Sequence, residues 1–154
     1  MPTRRATRRA ALGGLMSVVM FRDALAGDHK AGDEEADDLA AAIRAEIGDA
    51  APRDGGIALR LPPIAENGGQ VPLTISIESP MTQADHVTAI HVFATDNPTP
   101  GIASFTLTPG MGRAEVQTRI RLARDQKIVV LAVLSDGQVL RATAETKVAL
   151  GGCL

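Results

Sequence analysis

The sequence has no tryptophan and no tyrosine, only three phenylalanines, and a single cysteine. Each scarcity excludes something. Without Trp or Tyr there is no aromatic platform on which bases or sugar rings could stack, so no nucleic-acid partner is expected. One cysteine forbids an internal disulfide, a Cys-x-x-Cys redox pair and a thiolate-rich zinc site. The histidines do not make up the lack. His86 and His91 are five apart on one expected strand, where odd spacing sends side chains to opposite faces, and His29 precedes the expected elements. No glycine-rich loop follows a strand to open a helix, so phosphate cradling is not expected either. The reading therefore contains no cofactor and no metal.

Long apolar runs are also missing. The stretch Ala10–Phe21 is twelve residues, short of the about 20 a membrane helix needs. Its flanks are informative. Arg4-Arg5 and Arg8-Arg9 precede it and Ala24-Leu25-Ala26 comes after it, the last resembling an A-x-A cleavage site. "TRRAAL" (Thr7 to Leu12) is similar to a twin-arginine export signal. Residues 1–26 are expected to be cleaved, leaving a periplasmic chain from about Gly27 with no membrane segment.

Removal of that segment leaves 11 basic and 17 acidic side chains, a net charge of −6. The excess lies in residues 28–49, with eight acids against two bases, while residues 50–154 balance at nine and nine. There is no basic patch to neutralise phosphates.

Hydrophobic period divides the remainder. In the acidic segment 27–55, Asp33 to Asp49 reads as one helix, about 34–47, capped by Asp33 and ended by Gly48. Its apolar face is expected to be Ala36, Leu39, Ala40, Ile43 and Ile47. Beyond Gly56 the period becomes two. Val71, Leu73, Ile75 and Ile77 alternate with polar residues and Pro72, and Val116, Thr118, Ile120 and Leu122 alternate with charged and polar ones. Seven strands are expected, about 57–61, 71–78, 86–95, 102–107, 114–122, 127–134 and 138–150. Turn signals separate them, among them Asp136-Gly137, a strong hairpin cue. The expected fold is all-β: an immunoglobulin-like antiparallel sandwich over 56–150, with one N-terminal helix. "KIVVLAVL" (Lys127 to Leu134) is apolar on both faces and needs an outer cover. A second subunit is the expected cover, the acidic helix the alternative. On that expectation Val129→Asp or Val130→Asp would break the pair.

The cysteine, Cys153, comes after Gly151-Gly152 beyond the last expected strand. Glycines give the chain backbone freedom, so residues 151–154 are expected to form a flexible arm bearing an accessible thiol. With no rigid surround, that thiol suits attachment of a substrate better than catalysis.

Several stretches carry a family resemblance. They are Ser79-Pro80-Met81, "TRIRLA" (Thr118 to Ala123), "SDG" (Ser135 to Gly137) and the terminal Gly151-Gly152-Cys153. Together they make the chain resemble SoxY, the sulfur carrier of the periplasmic thiosulfate-oxidising system. The resemblance implies a non-enzymatic carrier that holds sulfur intermediates covalently on Cys153, with Gly151 and Gly152 as the neck. It further implies a heterodimer with a SoxZ-like subunit. The other implied partners are a thiosulfate-attaching haem enzyme, a sulfate-releasing hydrolase and a sulfane-oxidising molybdenum enzyme. The family tail normally reads Gly-Gly-Cys-Gly-Gly, whereas Leu154 stands after the cysteine here, and slower loading by the partners is expected from it. The alternatives are an interaction-only sandwich module, such as a decayed carrier paralogue, and a thiol redox protein.

Overall fold

The computed structural model describes residues 31–152. The expected export signal, Cys153 and Leu154 lie outside the described residues. Helix α1 (Ala31–Ile47) is followed by nine strands. They are β1 (Arg53–Asp54), β2 (Ile57–Arg60), β3 (Ile64–Ala65), β4 (Val71–Ile77), β5 (Val87–Ala94), β6 (Gly101–Thr106), β7 (Ala114–Ile120), β8 (Gln126–Leu134) and β9 (Val139–Val148). All seven strands expected from alternation are present, and β1 and β3 are two-residue additions.

The strands form two sheets in an immunoglobulin-like sandwich. The larger has the order β1-β9-β8-β5-β6, with β3 also paired to β9, and the smaller is β2-β4-β7. The leading segment changes sheets twice. β1 pairs parallel with Leu140 and Arg141 of β9, β2 crosses to pair antiparallel with β4, and β3 returns to Lys147 and Val148 of β9. Arg141 donates to both carboxylate oxygens of Asp54, at 2.6 and 3.0 Å, and so clasps β1 to β9. That hydrogen bond, with the guanidinium charge behind it, holds the Asp54 carboxyl below the usual carboxylate range and raises Arg141.

Period-two patterning fills the space between the sheets. Val71, Leu73 and Ile75 of β4 face Ile90 and Val92 of β5 and Ile128 and Val130 of β8 in one core, all fully buried. The Ser79-Pro80-Met81 turn between β4 and β5 closes one end of it. Met81 holds a left-handed φ of 50° there and buries its side chain in the core. The Asp136-Gly137 turn joins β8 to β9 as expected, with Gly137 at φ 84°. Ser135 beside it accepts from His86 N–H at 3.2 Å and donates to Ala84 O at 3.3 Å. Two of the resembling motifs thus brace the same end of the sandwich.

The outer face of β5 and β8 carries Phe93, Val129 and Leu131, joined by Val139 of β9. The cover is α1, which lays Leu39, Ala42, Ile43 and Ile47 on it. This corrects two expectations. The cover is the chain's own helix rather than a second subunit, and only Val129 belongs to that face, because its neighbour Val130 points into the core. The helix is also rotated from the expected face: Ala36 and Ala40 are exposed and Ala42 is engaged instead. Polar contacts at both ends of the stripe account for the rotation. Glu35 meets Arg124 at 3.4 Å and Glu46 meets His91 at 3.1 Å, and both glutamates continue the Leu39–Ala42–Ile43 line. Asp33 lies inside the helix rather than capping it, whereas Gly48 ends it as expected, at φ 62° with its N–H on Arg44 O.

Candidate functional site

The expected site is the tail beyond β9, and its root is built almost wholly from backbone. Val148 N–H donates to Asp125 Oδ1 at 2.6 Å, and Ala149 N–H to Ala65 O at 2.9 Å. Gly68 N–H then donates to Leu150 O at 2.7 Å, Leu122 N–H to Gly68 O at 2.8 Å, and Gly152 N–H to Leu122 O at 2.9 Å. Three remote segments, around residues 68, 122 and 151, are therefore tied at one point.

The packing there leaves no room for side chains. A Cβ on Gly151 would collide with Ala123 O, and one on Gly152 would stand 2.9 Å from Gly68 C and O and from Gly69 Cα. A Cβ on buried Gly68 would collide with Leu122 O and stand 2.7 Å from Gly152 N. Gly151 and Gly152 were expected for backbone freedom. In the structure what they supply is close approach, and Gly152 is a hydrogen-bonded residue.

The sequence "TRIRLA" acquires a role here, since its last two residues, Leu122 and Ala123, receive the arm. Two side chains that sequence reading missed hold this stretch in place. Asn97 donates through Nδ2 to Arg121 O at 2.9 Å and accepts at Oδ1 from Ala123 N–H at 3.1 Å and from Gln126 Nε2 at 2.8 Å. Gln126 also donates to Arg124 O and accepts from Asp96 N–H. Both are buried, at 5% and 6% exposure, so their polar atoms are committed to this network. Asn97 sits in a turn-forming Asp-Asn-Pro string, and that turn signal masks its second use.

One other constellation invites a catalytic reading. His91 on β5 lies beneath α1 with Ser104 Oγ 2.9 Å and Glu46 Oε2 3.1 Å away. Both partners approach the same ring nitrogen, Nδ1. A serine–histidine–acid relay needs the hydroxyl and the carboxylate on opposite nitrogens. The group joins helix to sheet. Among the described residues, no cluster of three or more His, Cys, Asp or Glu could hold a metal ion, and no helix is long and apolar enough to cross a membrane.

Comparison with known proteins gives these observations a family. A model of "Sulfur oxidation protein SoxY" matches residues 43–153. The fold is similar to the solved structure of the sulfur carrier protein SoxY from Chlorobium limicola f thiosulfatophilum. The identity is 35% and the TM-score 0.62, over 73% of this chain and 97% of that one. It is also similar to a superoxide reductase (neelaredoxin) from Ignicoccus hospitalis, with 14% identity and a TM-score of 0.54 over 60% of this chain and 78% of that one. A putative superoxide reductase from Thermotoga maritima gives 15% and 0.54, over 63% and 93%. The last two likenesses concern the sandwich fold alone. A search of curated proteins matched none. The matched region takes in the sandwich, the docked glycines and the cysteine after them, and by it the chain belongs to the SoxY family of sulfur-oxidation proteins.

Proposed function

We propose that this chain carries sulfur covalently on Cys153 and presents it to the enzymes of thiosulfate oxidation in the periplasm. The observation that carries the reading is the reach of the family match: it runs through residue 153, the chain's one thiol, directly after the docked glycines. Likeness to a solved sulfur carrier over nearly the whole of that chain supports it. The chain itself is not the catalyst in this reading, and no cofactor or metal of its own takes part.

Loading joins the Cys153 sulfur to the terminal sulfur of thiosulfate. The thiol S–H bond is lost, an S–S bond forms, a proton goes to water and two electrons pass to a haem-containing partner. Hydrolysis then breaks the S–SO3 bond, releasing sulfate and a proton and leaving a persulfide on the cysteine. A molybdenum-containing partner takes six electrons from that outer sulfur as three oxygens from water are added, giving a sulfonate and releasing protons. A second hydrolysis breaks the bond between the cysteine sulfur and the sulfonate, releasing sulfate and a proton and returning the thiol. At every stage the carrier's part is to hold one sulfur on a slender neck, and side chains at 151 and 152 would thicken it. A SoxZ-like subunit completes the carrier, and residues 1–26 direct export.

Intact-mass spectrometry of the protein isolated from cells oxidising thiosulfate tests the reading. The expected result is a series of adducts matching thiosulfonate and added sulfur, absent from Cys153→Ser. An unmodified thiol or a plain disulfide dimer under the same conditions would overturn it and favour the interaction-only module. A Cys153 thiol pKa well below the ordinary value would instead favour a redox protein.

A further inference from the structure

Gly68 is far from the tail in sequence, yet it is the hub of the tail's docking. Its N–H holds Leu150 O, its carbonyl holds Leu122 N–H, and the Leu122 carbonyl in turn holds Gly152 N–H. The three glycines at 68, 151 and 152 each face backbone so closely that a methyl group would collide or stand within 2.9 Å of it. Asn97 and Gln126 fix the receiving strand end, and Asp125 fixes the end of β9.

We infer that the arm is latched, and that Gly68 is a positioning residue which sets the balance between a docked and a released arm. The inference rests on the carrier reading for its purpose, though not for its geometry. Docked, the arm is anchored at Gly152, directly before Cys153 in the chain. Released, the chain swings from Ala149, and residues 151–153 add about 10 Å of reach. The released form extends the arm's reach towards a partner, whereas the docked form holds Gly152, the residue before the carrier cysteine, at the sandwich end. Release breaks only the Leu150 and Gly152 hydrogen bonds and leaves the Gly68–Leu122 bond and the sandwich intact.

Two substitutions separate the latch from the fold. Gly152→Ala sets its methyl against Gly68 and Gly69, a clash the arm relieves by leaving, whereas Gly68→Ala places its methyl against Leu122 O and disturbs the receiving strand itself. Amide exchange of the unlabelled, folded protein is the first readout. In the wild type, Gly68 and Gly152 N–H should exchange at least about tenfold more slowly than free chain, as a closed local structure requires. In Gly152→Ala, protection at Gly68 should fall about tenfold while the β5 and β8 amides keep theirs. The single thiol gives the second readout, since a maleimide dye can attach only at Cys153. Its time-resolved anisotropy should show a slow component in the wild type that shrinks several-fold in both variants. Free-chain exchange at Gly68 and Gly152 in the wild type, or equal dye motion in all three proteins, would overturn the latch. Neither measurement requires sulfur loading, so loss of the latch and loss of the carrier reading would be told apart by the adduct masses.

Discussion

Asn97 supplies hydrogen bonds where no strand can. It serves Arg121 O, Ala123 N–H and Gln126 Nε2 at once, at a point where β7 has ended and the chain turns towards β8. Removing its amide strands these partners in a buried site, and an unmet buried polar group costs about 1–3 kcal/mol. Asn97→Ala should therefore lose about 2–4 kcal/mol in urea unfolding. Asn97→Asp, which sets a carboxylate oxygen against Arg121 O in the same buried site, should lose at least as much. Because Leu122 and Ala123 receive the arm, both variants should also raise exchange at Gly152. A residue-scale reading of sequence could not reach this. Asn97 reads as a turn former and Gly151-Gly152 as a loose neck, but hydrogen bonds from Asn97 to residues 121, 123 and 126 and from Leu122 to Gly68 and Gly152 leave no local pattern. Cys153 draws notice in the sequence as the sole thiol, and its carrier role is the proposal that the adduct masses test.

At the scale of elements, alternation made the strands that bury one face and wet the other readable, while β5 and β8, covered on both faces, stood out as apolar runs between turn signals. The two-residue strands β1 and β3 escaped because so short a pairing carries no period. Helix α1 was readable in extent, though not in what it covers or in its exact rotation, which Glu35 and Glu46 decide through partners on the sheet. Its burial of Val129 changes what a charge there should do. Val129→Asp should free α1 from β8 and cost about 2–4 kcal/mol, measured as lost stability together with exchange of the Leu39–Ile47 amides. The clasp of β1 onto β9 gives a pH dependence. Asp54 has a lowered folded-state value, so its stabilisation is present above the ordinary carboxylate value of about 4 and is lost as pH falls through the lower one. Exchange at Gly55 N–H, which donates to Arg141 O, should accelerate on acidification after correction for intrinsic rate, and Arg141→Gln should abolish the step.

Taken as a whole, the molecule has two unlike ends. The Ser79-Pro80-Met81 turn and the Ser135–Gly137 hairpin close one end with a buried methionine and side-chain hydrogen bonds. The other end gathers residues 148–152, the 3₁₀ turn at Gly68–Gln70 and the stretch after β7. The family-specific motifs divide between these ends, which explains why they looked scattered along the sequence while the sandwich between them obeys general patterning. The arm's root has one further property. Beyond Val148, whose N–H is held by the Asp125 carboxylate, it is tied by neutral amides and carbonyls, with no ionisable group among the atoms that meet at Gly68, Leu122, Leu150 and Gly152. The Asp54 clasp and the His91–Glu46 contact both involve titratable groups; this junction does not. Its corrected exchange protection should stay flat between about pH 5 and 8 and with added salt. The proposed sulfur chemistry liberates protons at each turn, and the fastening is thereby deaf to the acid its own cargo produces.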